Sequence, residues 1–167
     1  MSAKKIEVDG KLRIGKDLSA DTVQIGGKLE VKGNTKARES DVGGAFEATG
    51  KVEAESIEVG GSFHGKGEVK VIKIKVGGTV TIESELKAEE LDVGGRAEVK
   101  GGEIKNRINV GGVFESKDSL VFGSIDVGGK ATLSGTSQGG SIQVGGSFNA
   151  EGDLKFSDID VGGVAEI

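Results

Sequence analysis

Residue types that carry reaction chemistry are sparse in this 167-residue chain. It has one histidine, His64, and no cysteine, tyrosine, tryptophan or proline. Without cysteine there is no thiolate nucleophile, thiolate metal site or disulfide framework. A histidine acts in catalysis when a nucleophile and an orienting carboxylate lie within reach. His64 instead stands between Phe63 and Gly65 in an alternating segment, which places it on the outer surface. The recurring Gly-Gly pairs invite a phosphate-cradle reading. No Gly-Lys-Ser/Thr follows them and no helix pattern begins there, so the amides that would hold phosphate are missing. Nor does the Gly-x-Asp of the calcium-binding nonapeptide follow the pairs. The sequence therefore offers no catalytic residue, no cofactor site and no metal ligand.

The remaining polar chemistry is ionic. With 22 basic and 27 acidic residues the net charge is −5, too acidic to neutralise a run of phosphates, so a nucleic-acid partner is not expected. No apolar run approaches the ~20 residues of a membrane span. Met1-Ser2-Ala3-Lys4-Lys5 is charged too soon for a signal peptide, so a cytoplasmic protein is expected.

The charges are held in place by a repeat. A β-branched residue precedes Gly-Gly at Ile25, Val42, Val59, Val76, Val93, Val110, Val127, Val144 and Val161, always 17 residues apart, and Val8-Asp9-Gly10 is a degenerate first copy. With that residue as position 1, position 16 reads from Ile6 to Ile159, position 5 from Leu12 to Ala165, and position 7 from Ile14 to Ile167. Positions 11 and 13 are mostly apolar too. The apolar columns 16 and 1, 5 and 7, 11 and 13 are pairs two apart, the spacing of strand neighbours on one face. Six inward columns in 17 match the 35% apolar content.

The expected fold is an all-β, single-domain triangular β-solenoid of about nine and a half coils, with three short strands per coil. Residues 1–5 are a short lead-in and 6–167 the solenoid. At ~4.8 Å per coil the rod is about 45 Å long. Gly-Gly at positions 2 and 3, and Gly at position 9, suit corners through positive φ and close approach of coils. Phe at position 5 goes with a small residue at position 7 (Phe46 with Ala48, Phe63 with Gly65, Phe114 with Ser116), and Ala with a larger one (Ala97 with Val99, Ala131 with Leu133). A narrow tube of constant volume requires that trade.

Two coils depart from the pattern. In Gly101-Gly102-Glu103-Ile104 the apolar residue comes one place late, so a slip or bulge should turn Ile104 inward. Gly135-Thr136-Ser137-Gln138-Gly139-Gly140 is nearly devoid of apolar content and should be the least stable stretch.

Three sets of residues are candidates for function. The solenoid begins and ends on core-type residues: Ile6, Val8, Leu12 and Ile14 at one end, Ile159, Val161, Ala165 and Ile167 at the other. Open strand edges over apolar rungs are a template for pairing with another copy. The outward column at position 17 is acidic, with Asp41, Glu58, Asp92, Asp126 and Asp160. The third face carries Lys36, Lys70, Lys87 and Lys155. Acidic and basic faces of neighbouring rods would attract laterally in a salt-sensitive way.

The repeated Ile-x-Val-Gly-Gly-x-Phe/Val-x-Ala-x-Gly units, uninterrupted from Ile6 to Ile167, resemble the bactofilins, the polymer-forming cytoskeletal proteins of bacteria and some archaea. The resemblance implies a right-handed β-helix that polymerises without nucleotide into non-polar filaments. It also implies a scaffold that localises partners such as cell-envelope proteins. The chain lacks the family's flexible tails and N-terminal membrane-binding stretch, so membrane contact is expected through partners rather than directly. Two other readings stand beside it. One is a monomeric β-solenoid binding or adhesion module that uses a flat charged face. The other is an enzyme. A hexapeptide-repeat acyltransferase is also a β-helix, but its coil is one residue longer and it extrudes a loop that the strict 17-residue period leaves no room for.

Overall fold

A computed structural model describes all residues 1–167. The chain is a β-solenoid with no helix, in which nineteen strands from Ser2 to Glu166 form one continuous sheet. Each strand pairs in parallel with the strand one coil on, in registers such as Ile6↔Val23, Val23↔Ser40 and Ser40↔Ile57. Every inward column therefore stacks on itself along the rod axis.

The regular coil holds two strands. An eight-residue strand runs through positions 11 to 1, as in Leu18–Ile25, Thr35–Val42 and Val69–Val76, and a four-residue strand covers positions 4 to 7, as in Lys28–Val31 and Ala45–Ala48. This corrects the three-strand expectation. The corner between positions 13 and 16 is a bend within one strand, where two successive side chains (Asp21 and Thr22, for instance) leave the core and pairing lapses only at position 14.

The first residues also differ from expectation. Ser2 and Ala3 pair with Ser19 and Ala20 within a strand spanning Ser2–Val8, and the Ser19 amide donates to the Met1 carbonyl at 2.8 Å. The solenoid therefore starts at Ser2, and residues 2–5 are part of the ladder rather than a lead-in.

A single cluster of 41 buried apolar residues fills the tube from Ile6 to Phe148. The size trade between positions 5 and 7 is visible in space. The Phe46 and Phe63 rings stack with centroids 5.2 Å apart, and beside them Ala48 and Gly65 leave the volume the rings need.

The corner glycines act by close approach. Only Gly101, Gly102, Gly135 and Gly152 have positive φ, so none of the Gly-Gly pairs at positions 2 and 3 relies on a left-handed backbone. A Cβ on Gly94 would instead lie 2.4 Å from the carbonyl oxygen of Gly77 one coil below, and the same contact recurs from Gly43 to Gly162. The bare corners let the Gly94 amide donate to the Val76 carbonyl at 2.9 Å and the Gly95 amide to the Gly78 carbonyl at 3.1 Å.

Ile104 is fully buried, as expected, and the device is a pair of compensating irregularities. Between Val99 and Gly101 the chain uses one residue fewer at the corner than the previous coil, and between Ile104 and Arg107 it uses one more. Gly102, at φ 128°, takes the register place of Leu86, and Ile104 that of Ala88. The period remains 17. The apolar-poor stretch after Gly135 is filled from its neighbour: the Phe122 ring lies over Gly139, where a Cβ would sit 2.3 Å from two ring atoms. Ser137 is buried, and its hydroxyl accepts the Leu120 amide at 3.2 Å.

Candidate functional site

The two ends of the rod are unequal. Ile6 and Ile14 are buried, and Val8 and Leu12 are half-buried against the core. At the other end Ile159 and Val161 are half-buried, while Ala165 and Ile167 are exposed, Ile167 at 69%. Ile167 occupies the same column as Val31, Ile82 and Val99, all essentially inaccessible. Val164 and Phe156 are also open there. The last coil thus offers apolar rungs, beside strands whose outward edge has no partner, in the arrangement that every interior coil offers its neighbour.

The outward columns divide by how their charges are satisfied. On the short-strand face, acids and bases are paired across coils. Arg13 and Lys11 both reach Glu30, Lys28 reaches Glu47 at 2.8 Å, and Arg96 bridges Glu98 and Glu115. Hydrogen bonding from Arg13 holds the Glu30 carboxyl below the ordinary range, and Lys117 does the same for Glu98. Asp41, Glu58, Asp126 and Asp160 are exposed and Asp92 is half-buried. None of the five is in an ion pair, although Asp92 accepts a long 3.4 Å bond from Asn109. His64 lies on the outer surface, hydrogen-bonded through Nε2 to Glu83 at 2.5 Å. No three histidine or carboxylate side chains converge as a metal cage would require.

The third face is not the uniform basic surface its lysines suggest. Lys36, Lys70, Lys87 and Lys155 are exposed on it, but Glu53 interrupts them and Lys87 is engaged by Glu68 and Glu85 at 3.9 and 3.7 Å. Positions 12 and 14 stand as two ridges, with the small residues of position 13 (mostly alanine) between them. They enclose a furrow of about 710 Å³ that runs from Ser2 to Lys105. Periodicity alone did not reveal this furrow. Its signal was the run of small residues at Ala3, Ala20, Ala37, Ala54 and Ala88. Beyond Ile104 the furrow gives way to Phe122. There Val121 and Phe156, 40% and 38% exposed, flank Gly139 in a smaller apolar slot.

The structure thus collects the eight end residues into two terminal rungs and places the acids of position 17 and the lysines of position 12 on different faces. No helix is present that could cross a membrane. Compared with family models, curated proteins and solved structures, the chain matches none.

Proposed function

We propose that this chain is a structural, cytoskeletal protein whose solenoids join end to end, without nucleotide, into non-polar filaments that serve as a cytoplasmic scaffold for other proteins, cell-envelope proteins among them. The observation that carries the reading is the terminal rung at Ile167. Its column is buried from Ile14 to Leu133, half-buried at Ala150 and open at Ile167, so stacking a further coil would bury an isoleucine, worth roughly 1.5–3 kcal/mol. The same step would complete a row of backbone hydrogen bonds. No nucleotide is needed, because the burial of apolar rungs and the pairing of open strand edges supply the joint.

For the filament to be non-polar, an Ile167 end meets another Ile167 end, and the joined pairs then meet through their Ile6–Ile14 ends. A rod that remains single and captures a partner along its third face is the second reading, favoured by the furrow.

Negative-stain electron microscopy of the purified protein without nucleotide separates the two. Filaments one coil wide, lost in Ile167→Lys and Val8→Lys variants that keep their β-sheet circular dichroism, are the expected result. Filaments that survive both substitutions would defeat end stacking, and short discrete rods from the unaltered chain would favour the binding module.

A further inference from the structure

The charges along the furrow form a sequence that is complementary to itself when reversed. Taken one coil at a time, the two ridges carry Ser2 and Lys4, then Ser19 and Asp21, Lys36 and Arg38, Glu53 and Glu55, Lys70 and Ile72, and Lys87 and Glu89. A doubly basic rung therefore sits next to a doubly acidic one. Lys36, Arg38 and Glu55 are exposed and have no ion pair within their own chain, whereas Glu53 is held by Lys51 at 3.2 Å.

We infer that this face pairs with the same face of a second copy, the two rods antiparallel about a two-fold axis between the Lys36 and Glu53 rungs. That operation sets Lys36 opposite Glu53 of the second copy and Arg38 opposite Glu55. Lys4 falls opposite Glu89, Ser19 opposite Lys70 and Asp21 opposite Ile72. Every contact occurs twice, as an isologous interface requires, and no like charges oppose each other along the two ridges.

Other arrangements are penalised. Parallel rods related by an axis along the furrow set Lys36 against Arg38 and Glu53 against Glu55. Slipping the antiparallel pair by one register step sets Lys36 against Lys36, or Glu53 against Glu53. Like-charge opposition of this kind selects register and direction more strongly than it changes affinity. At the furrow's rim, Asp17 faces Glu68, but Glu68 is already engaged by Lys51 and Lys87 at 3.5 and 3.9 Å.

The contact is small. Six rungs at ~4.8 Å, across two ridges, cover about 350 Å² per copy, under half of the roughly 800 Å² that a stable complex buries on each side. Single rods therefore pair weakly, and the contact gains strength by repetition wherever rods are held in line. The inference rests on the charge sequence and not on the end-to-end reading, so it is tested on discrete rods of the Ile167→Lys variant as well as on the unaltered chain.

The chain has no cysteine, so single reporters are unambiguous. Asp21→Cys and Ile72→Cys proteins are mixed with a short bis-maleimide at about 20 mM and at about 500 mM salt. The expected result is a mixed dimer several-fold above the self-dimers of either protein at low salt, falling to their level at high salt. Adding Lys36→Glu and Arg38→Glu to both reporters should abolish the mixed dimer. Placing Lys36→Glu and Arg38→Glu on one reporter, with Glu53→Lys and Glu55→Lys on the other, should restore it. A mixed dimer no more abundant than the self-dimers at low salt, or one indifferent to charge reversal, overturns the inference. Filaments and cross-linking fail separately, because the first depends on Ile167 and the second does not.

Discussion

Replacing one corner glycine by alanine measures how tightly the coils are drawn together. At Gly94 the new Cβ would lie 2.4 Å from the Gly77 carbonyl oxygen, so reaching an ordinary C···O contact of ~3.3 Å requires the corner to open by roughly 0.9 Å. Three hydrogen bonds close that corner: the Gly94 amide to Val76 at 2.9 Å, and the Gly95 and Arg96 amides to Gly78 at 3.1 Å each. Stretching each by that amount takes it well beyond the useful range. At about 1 kcal/mol per bond the loss is about 3 kcal/mol. With an unfolding entropy near 2.1 cal/mol/K per residue, that lowers the Tm by roughly 9 °C.

Gly10 supplies the control. It is a corner glycine of the first coil, has no positive φ, and a Cβ there meets nothing within 4 Å. Gly10→Ala should leave stability unchanged or raise it by about 0.5 kcal/mol through the unfolded chain. Thermal melts followed by circular dichroism read both variants. If Gly94→Ala melts with Gly10→Ala, close approach is not what fixes glycine at these corners.

Other substitutions probe the core and the ionic surface. The Thr35 hydroxyl is buried without a partner, so Thr35→Val should stabilise the fold by about 1–2 kcal/mol, read by urea denaturation; a destabilised variant would mean that the hydroxyl is satisfied in solution. Ile104→Ala should cost about 3 kcal/mol, because the cavity lies where the shifted corner leaves little freedom to collapse. Glu7, Glu30, Glu53 and Glu98 are held below their ordinary value of 4.5, chiefly by hydrogen bonds from Lys5, Arg13, Lys51 and Lys117. Carboxylates with lowered folded values contribute fully above 4.5, and that contribution is lost as the pH falls through those values. Stability should hold at neutral pH and decline below 4.5, and Glu98→Gln should flatten the decline in acid melts. Amides from Gly135 to Ser141 should exchange hydrogen faster than those of any other interior coil, because Ser137 and Gly139 stand where other coils place larger apolar residues; protection equal to that of Thr35–Val42 would refute this.

Much of the architecture was legible because one period governs every residue. The inward columns and the outward placement of His64 and Asp41 follow from counting in steps of 17, and the burial of Ile104 from the one place by which it departs from that count. What counting missed depends on distances or on joining segments. Of the two reasons expected for glycine at the Gly-Gly corners, positive φ and close approach of coils, only the second operates, and its tightness is set by the neighbouring coil, which no single coil contains. Ser2–Lys5 carry only Ala3 as an apolar signal, and pairing with Ser19 and Ala20 recruits them. The bend after position 13 looked like a break because two outward residues interrupt the alternation, yet one strand spans it and pairing lapses only at position 14. The third face looked basic from its lysines at position 12. Glu53 in that column, and Arg38 and Glu55 two residues along, turn it into an alternating pattern.

Hydrogen bonds between parallel strands lie across the strands, and here that direction is the axis of the rod. The 129 backbone bonds are spread over nine coil-to-coil junctions, roughly fourteen to each. A pull along the axis loads all the bonds of one junction together, so the rod should resist stretching and then part abruptly. A pull on one chain end across the axis loads one or two bonds at a time and should peel the solenoid coil by coil at low force. Mechanically the molecule is a strut in one direction and a zipper in the other, and the direction in which a load is attached decides which behaviour it meets.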